Sequence, residues 1–311
     1  MKVLVTGASG FLGKFLVKAL AQKGAEVTAL NSKNCDLTSS SSLEKYSSAS
    51  FAKIYHLAAW TQAGDFCLRH PGEQWLINQK INTHVLDWWQ KAQPQAKMIA
   101  IGTSCSYDPE LPLEEEFYLQ GNPIDSLFTY AMTKRMLLSG LEALHKQYGL
   151  SYLYVVPSTL YGPNYHEDGR QMHFIFDLVR KILRGRIYND PVVLWGDGTQ
   201  IREIITVNDF VSALFTLEKK IENDLVNIGA GKGHTIREFA ELICQKACFP
   251  MEKVEFDTSK YVGAKTKVLS TKKLQKILPE FSHTPLKQGI EELVDWFENQ
   301  YFSPEKNRAE V

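Results

Sequence analysis

A doubly wound α/β fold, a parallel sheet followed by a smaller C-terminal α/β domain, is predicted by three features of this sequence. A glycine triplet, Gly7, Gly10 and Gly13, follows closely on the apolar run Val3-Leu4-Val5. From there to about residue 163, short apolar runs alternate with stretches of helical period, the pattern of βα units in a parallel sheet. Beyond residue 163 the strands become short and irregularly spaced.

With 311 residues, 44% of them hydrophobic, the chain can bury a large core as one big domain or two closely packed ones. Its 35 basic and 35 acidic residues cancel, so no surplus of positive charge points to nucleic acid. No apolar run approaches the roughly 20 residues that span a bilayer. The opening segment is already strand, so no leader is expected. The five cysteines lack a disulfide-framework spacing, which suits a reducing cytoplasm. Cys244 and Cys248 lie four apart on a helical stretch with too few neighbouring ligands for a metal. They are expected to be buried thiols, and no metal site is expected.

The first unit runs from a strand through a tight turn into a helix with apolar residues at Phe11, Leu12, Phe15, Leu16, Val17 and Leu20. Gly7 permits the turn, Gly10 lets backbone approach a pyrophosphate, and Gly13 lets helix and sheet pack closely. The helix N-terminus adds unpaired N–H groups and a positive dipole end. Gly7, Ser9, Gly10, Phe11, Leu12 and Gly13 are therefore the candidate cradle for a dinucleotide.

Residues 26–30 form the second strand. An acid at its end would hold the adenosine ribose hydroxyls and select NAD. This chain has Asn31, Ser32, Lys33 and Asn34 there. Lys33 can meet a 2′-phosphate, which favours NADP(H) and leaves NAD open; the alternative is a solvated loop charge. Asp36, with Leu37 beside it, either accepts a hydrogen bond from the adenine amino group or caps a helix starting near residues 40–43.

Residues 53–57 are the third strand, closed by His56-Leu57-Ala58-Ala59. Small residues at a strand's carboxyl end let a cofactor lie close, which adds Leu57, Ala58 and Ala59 to the candidate contacts. His56 is expected to be a satisfied structural histidine. A long helix over 73–91 carries Asn78 and Asn82, and a strand over 97–102 delivers Thr103-Ser104-Cys105-Ser106-Tyr107. Tyr130-Ala131-Met132-Thr133-Lys134 then opens a helix running to about residue 148. The four-residue spacing puts phenol and ammonium on one face. There the ammonium is expected to lower the phenol's pKa, so that Tyr130 exchanges a proton near neutral pH. Lys134 can also bind the nicotinamide ribose. A strand over 152–156 ends in Pro157-Ser158-Thr159-Leu160-Tyr161-Gly162-Pro163, where Pro157 and Leu160 complete the candidate cofactor contacts.

The remainder predicts a mobile polar loop at 164–171, a helix over 173–183, and a strand over 192–195 before the turn Gly196-Asp197-Gly198. Strands over 203–207 and 225–228 flank a helix over 209–218. Helices follow over 236–246 and 285–301, and the polar tail 303–311 is expected to fray. The expected division is a dinucleotide-binding domain at 1–163, with 206–228 returning to it, and a substrate domain at 164–205 and 229–311.

Taken together, Gly7-x-x-Gly10-x-x-Gly13, His56-Leu57-Ala58-Ala59, Thr103 four before Tyr107, Tyr130-x-x-x-Lys134 and Leu160-Tyr161-Gly162-Pro163 resemble the extended short-chain dehydrogenase/reductase family, which acts on nucleotide sugars. The resemblance covers nearly the whole chain. It implies a Rossmann-type domain with a smaller domain clamping the nucleotide sugar. It also implies a catalytic set of Thr103, Tyr130 and Lys134. A homodimer paired through the helices carrying Asn78 and Tyr130 is a further implication.

Within the family the chain looks most like the branch that epimerises and reduces a GDP-linked 4-keto-6-deoxyhexose. The similar features are Thr103-Ser104-Cys105-Ser106-Tyr107, His173 at the head of a helix, Trp195-Gly196-Asp197-Gly198-Thr199, and Arg202 at matching spacing. By that resemblance Cys105 and His173 are the epimerising pair. Thr103, Ser104, Lys181, Trp195 and Arg202 join them as contacts to the nucleotide sugar. The chain departs from the branch at Thr103, where a serine is usual, and at Thr159, where an asparagine is usual. It also departs along 60–69, and Gly263-Ala264-Lys265-Thr266-Lys267 matches a basic late loop only loosely.

The chemistry asks for these groups. A 4-keto sugar is acidic at C3 and C5, because the enolate delocalises into the ketone. Inversion needs a base on one face and an acid on the other: Cys105 as thiolate and His173 as imidazolium, the cation lowering the thiol's pKa. Reduction then needs a hydride at C4 and a proton at O4, with Tyr130 as donor, Lys134 holding down its pKa and Thr103 orienting the oxygen. Two other readings stay open: reduction or epimerisation alone on another nucleotide sugar, and a dinucleotide-sensing protein without catalysis. A 4,6-dehydratase wants an Asp-Glu pair where this chain has Ser104-Cys105.

Overall fold

The computed structural model describes residues 1–166, 170–260 and 263–302. In the first part, β1 (Lys2–Thr6) leads through the glycine turn into α1 (Phe11–Gln22) and β2 (Glu26–Ala29). There follow β3 (Lys53–His56), α2 (Phe66–Arg69), α3 (Pro71–Ala92), β4 (Lys97–Ile101), α4 (Phe128–Tyr148) and β5 (Tyr152–Pro157). Then come β6 (Thr159–Tyr161), α5 (Phe174–Tyr188), β7 (Val192–Trp195), β8 (Ile201–Arg202), β9 (Ile204–Thr206), α6 (Val207–Lys220) and β10 (Asp224–Ile228). The chain ends with β11 (His234–Thr235), α7 (Ile236–Ala247), β12 (Val254–Asp257), β13 (Thr266–Lys267), α8 (Lys272–Ile277) and α9 (Leu286–Tyr301).

Six strands form a parallel sheet in the order β10-β5-β4-β3-β1-β2. Alternate residues of one strand face opposite sides, and both sides are covered. Leu4, Ile54, Met98 and Tyr154 pack with Val85, Trp89 and Leu141 from α3 and α4. Val3, Val5, Tyr55, Ile99 and Val155 pack with Leu16 and Leu20 of α1 and Phe210 and Leu214 of α6. This is the doubly wound Rossmann-type arrangement, and it explains why the strands read as continuous apolar runs. A further core gathers Ile175 and Val179 of α5, Phe239 and Ile243 of α7, and Leu293 and Phe297 of α9. Phe11 of α1 packs into this core, its ring 5.2 Å from Tyr165 and 5.8 Å from Phe176, and touches Phe15, which packs on the sheet's core, at 5.6 Å.

One carboxylate ties α6 to the middle of the large sheet. Glu218, near the end of α6, takes the Lys53 ammonium at 2.8 Å and the Tyr55 hydroxyl at 2.6 Å. Lys97 donates to the carbonyls of Glu218 (2.8 Å) and Ile221 (2.6 Å), where the unpaired carbonyls of the helix end lie.

Several expectations need correction. No helix starts at 40–43; the chain makes turns there and one 3-10 turn at Glu44–Tyr46. The hydroxyl and carboxyl side chains of 36–42 compete for the backbone, and Asp36 accepts both the N–H (3.0 Å) and the hydroxyl (2.7 Å) of Thr38 instead of capping a helix. The pair expected to be buried thiols divides: Cys244 is buried, whereas Cys248 is exposed and caps α7 with a left-handed backbone (φ 51°). The short elements α2, β11, β12, β13 and α8 had no sequence expectation. Part of the loop expected to be mobile, 167–169, and the tail expected to fray, 303–311, lie outside the described residues.

Candidate active site

Strand order reverses between β1 and β3, the place where an open α/β sheet leaves a crevice beyond its carboxyl ends. Gly7 and Ala58 meet there. Gly7 has a left-handed backbone (φ 67°), and an added Cβ would lie 2.8 Å from the Ala58 nitrogen. At Gly13 an added Cβ would come within 2.3 Å of the Gly7 carbonyl, so helix and turn close only on glycine. Gly10 is different: its Cβ would approach only the Gly7 carbonyl, at 3.3 Å. It stands at the head of α1 with no side-chain cap, and the first turn carries no acidic residue. First-turn N–H groups have no partner within the helix. An uncapped glycine head with room above it fits the pyrophosphate of a dinucleotide. Ser9 and Gly10 are exposed, and Phe11 and Leu12 partly so.

The rest of the predicted cofactor set surrounds this crevice. Leu57, Ala58 and Ala59 follow β3, Pro157 ends β5, and Leu160 lies in β6. Lys33 and Asp36 are exposed beyond β2. Leu37 is not available through its side chain, which is buried in the core, and its carbonyl accepts from His84 (2.9 Å).

His56 ties this crevice to the helix bearing Tyr130. The Thr6 hydroxyl accepts the N–H groups of Leu57 and Ala58, both at 3.2 Å. Its own proton therefore goes to His56 Nδ1 (2.9 Å), which leaves Nε2–H to donate to Asn82 Oδ1 (3.1 Å). Asn82 in turn donates to the Thr133 carbonyl in α4 (3.2 Å). Burial, with the Lys134 ammonium adding to it, lowers the His56 pKa to about 4. The imidazole is thus a neutral strut.

At the end of β4, Thr103 caps a 3-10 turn, its hydroxyl accepting the Cys105 N–H at 3.3 Å. The Ser106 hydroxyl donates to the Ala131 carbonyl (3.1 Å), which seats this turn against the head of α4 beside Tyr130. Ser104 is buried beneath the turn, so Thr103 and Cys105 are its accessible members. Lys134 donates to the Ile101 carbonyl at 2.8 Å, and burial lowers its pKa to about 8. The expected effect on the phenol is reversed here: burial raises the Tyr130 pKa, with Cys105, Tyr118 and Cys67 adding to the rise. Among the described residues no hydrogen bond joins Lys134 to the phenol, because the ammonium is turned to the strand carbonyl. A second pair of phenols braces the set: Tyr118 receives the Thr103 N–H (3.4 Å) and contacts Tyr154 (3.0 Å), which donates to the Lys134 carbonyl (2.8 Å).

The facing wall comes from short elements. His173 is the N-cap of α5 and is accessible from the cleft. The surrounding walls, then Lys267 and His166, lower its pKa to about 4, so it is not the resting imidazolium that the sequence suggested. Lys181 pairs with Asp177 (3.0 Å), donates to the Val193 carbonyl (3.1 Å) and lies 5.9 Å over the Trp195 ring. Trp195 is 56% exposed at the end of β7. Arg202 sits in β8, in register with His234 of β11 and Lys267 of β13. Residues in register share a face of a sheet, so two cations and an imidazole stand in one row. Lys267 was not singled out in the sequence. Its ammonium lies 3.7 Å from Cys105 Sγ. The loosely basic 263–267 segment was the available signal; its pairing with β8 was not readable.

Comparison with known proteins agrees with this geometry. The profile of the NAD dependent epimerase/dehydratase family matches residues 3–229. The chain is 30% identical over 320 residues to a GDP-L-fucose synthase of Dictyostelium discoideum, covering 98% of this chain and 97% of that one. It is 29% identical over 316 residues to a probable GDP-L-fucose synthase 1 of Oryza sativa subsp. japonica, covering 98% and 94%. A crystal structure of a GDP-L-fucose synthetase from Naegleria fowleri superposes with a TM-score of 0.84 at 25% identity, covering 96% of this chain and 94% of that one. With a match that spans the whole large sheet, the chain belongs to the NAD dependent epimerase/dehydratase family.

Proposed function

We propose that this chain is an NADPH-dependent epimerase/reductase of a GDP-linked 4-keto-6-deoxy sugar, acting as GDP-L-fucose synthases do. The observation that carries the reading is one turn at the end of β4, which holds the Thr103 hydroxyl and Cys105 together and is seated on the head of α4 beside Tyr130. Full-length similarity to GDP-L-fucose synthases supports the substrate class. Exposed Lys33, in place of an acid beyond β2, supports the 2′-phosphorylated cofactor. NADPH bound in the glycine crevice supplies the hydride for C4.

The chain's own groups do the remainder. Cys105 as thiolate removes the proton at C3 or C5, and the C–H electron pair moves into the enolate. His173 returns a proton from the other face. It is neutral in the free site, and a bound diphosphate ester favours its charged form, so the acid arises when substrate arrives. Tyr130, held protonated by burial, gives its proton to O4 while Thr103 orients that oxygen. Lys134 positions α4 against β4 and holds the nicotinamide ribose. Lys181, Trp195 and Arg202 take the nucleotide, the indole by stacking and the cations on the diphosphate.

Under this reading 1–163 with 206–228 is the dinucleotide domain, and 164–205 with 229–311 the sugar domain. The protein works in the cytoplasm as a homodimer, and exposed Leu76 and Met136 on α3 and α4 are among the apolar contacts available for pairing. Among the described residues no helix is long and apolar enough to cross a membrane.

A second reading, ketone reduction without epimerisation, is favoured by the neutral His173. One experiment separates the two: GDP-4-keto-6-deoxymannose and other 4-keto nucleotide sugars with NADPH in deuterated water, read by NMR and mass spectrometry. Reduction with deuterium at C3 and C5 is expected. Reduction without deuterium at carbon leaves a simple ketoreductase, and no reaction with any sugar removes the enzyme reading.

A further inference from the structure

We infer that Lys267 is the cation that holds Cys105 as a thiolate in the free protein, a role the sequence had suggested for a charged His173. The inference rests on reading Cys105 as the base of the proposed reaction. The Lys267 ammonium donates toward Cys105 Sγ at 3.7 Å, so the sulfur is placed as the acceptor. Both groups are part-buried in the cleft, where screening by water is reduced. The ammonium is placed by backbone: Thr266 and Lys267 pair with Ile201 and Arg202 in β8, and Leu269 two residues on is held by Glu203 (2.8 Å).

Other titratable groups face this pair. Tyr130 comes from α4 and Cys67 from α2, both within electrostatic reach of Cys105. Glu203, after β8, and His173, at the head of α5, are within reach of Lys267. Tyr130 and Cys67 bring no positive charge to the sulfur, and among the described residues no hydrogen bond or ion pair joins His173 to it, whereas one joins Lys267. Among the described residues Lys267 is therefore the cation in contact with it. The step balances simply. The resting thiolate takes the sugar C–H proton and becomes a thiol, the C–H electron pair enters the enolate, and Lys267 keeps its charge throughout.

The test is alkylation of the free full-length protein with iodoacetamide across a pH series, each cysteine followed by peptide mass spectrometry. Wild type is compared with K267M, K267Q, K267R and H173Q, each checked by thermal melting. At neutral pH, K267M and K267Q are expected to slow Cys105 about tenfold and move its profile to higher pH, since the thiolate is the reactive form. K267R, which keeps the charge, is expected to stay near wild type, and H173Q is expected to match it. Exposed Cys248, capping α7, serves as an internal control whose rate does not change.

A wild-type Cys105 profile in folded K267M and K267Q overturns the inference; if those variants then bind the nucleotide sugar poorly, Lys267 serves the diphosphate alone. A slowing in H173Q equal to that in K267M also overturns it. Solvent deuterium exchange into the sugar is scored separately. Exchange by wild type with no Lys267 effect on alkylation ends the inference and leaves the proposed function. A Lys267 effect without exchange does the reverse.

Discussion

The crevice at the end of β1 and the wall facing it are built by opposite means. The crevice is backbone: Gly7, Gly10 and Gly13 leave room, and Ala58 closes against them. The wall is side chains: His173, Lys181, Trp195, Arg202 and Lys267 project from an N-cap, a helix and three short strands. A phosphate is recognised by N–H groups that every sequence has, so the crevice needs only the absence of side chains. A particular sugar and base need particular side chains in particular places. The crevice should therefore fail through stability or cofactor affinity, and the catalytic groups through rate.

The sharpest break of that contrast is Tyr130→Phe. It should lower ketone reduction by about 10²- to 10⁴-fold, the usual worth of a placed proton donor, and shift the melting temperature little. A variant that melts early, or reduces at the wild-type rate, would place Tyr130 on the structural side of the division.

The pH dependence of folding is the next largest effect, and it belongs to the crevice. His56 falls from the ordinary 6.5 to about 4 in the folded protein, so between these values the unfolded chain binds more protons. Its contribution is complete above pH 6.5 and is lost as pH falls toward 4. About 2 kcal/mol should be gone by pH 5. Urea titrations at pH 7 and pH 5 should show the loss in wild type, and His56→Gln should lack that component of it.

Gly13→Ala and Gly10→Ala then divide the crevice itself. Gly13→Ala forces a Cβ onto the Gly7 carbonyl and should cost about 1–3 kcal/mol of stability. Gly10→Ala should melt near wild type and raise the KM for NADPH. Equal melting temperatures in the two variants would show that the turn relaxes, and the distinction between room for packing and room for ligand would go. The smallest effect is at Lys33. Removing an exposed cation opposite a phosphate is worth up to about 1 kcal/mol, so Lys33→Ala should raise the KM for NADPH severalfold and leave that for NADH unchanged.

The same contrast decides what the sequence made legible. Apolar runs with both faces covered announce buried parallel strands, and the glycine triplet announces the crevice. Tyr130 and Lys134 are visible because helical spacing is local. Lys267 was not, because it acts through pairing with a strand some 65 residues earlier in the chain, and a two-residue strand leaves no periodic trace. The charge state of His173 was misjudged for a related reason. Its pKa answers to walls and to Lys267, contributed by segments far along the chain. Residues 40–43 read as a helix start because serine and threonine favour both caps and turns, and here the turns prevailed.

The Glu218 lock has a consequence for how the chain folds. Lys53, Tyr55 and Lys97 are made early, yet their acceptors lie more than 120 residues later in the chain. A chain ending after residue 163 would hold Lys97 without those carbonyls and leave the edge of β5 unpaired, a template for association with other chains. The large sheet thus reaches its final state only after α6 and β10 have been synthesised. Its folding is dominated by distant contacts, the class that folds slowly. During synthesis the emerging sheet has an open edge that its own late strand closes.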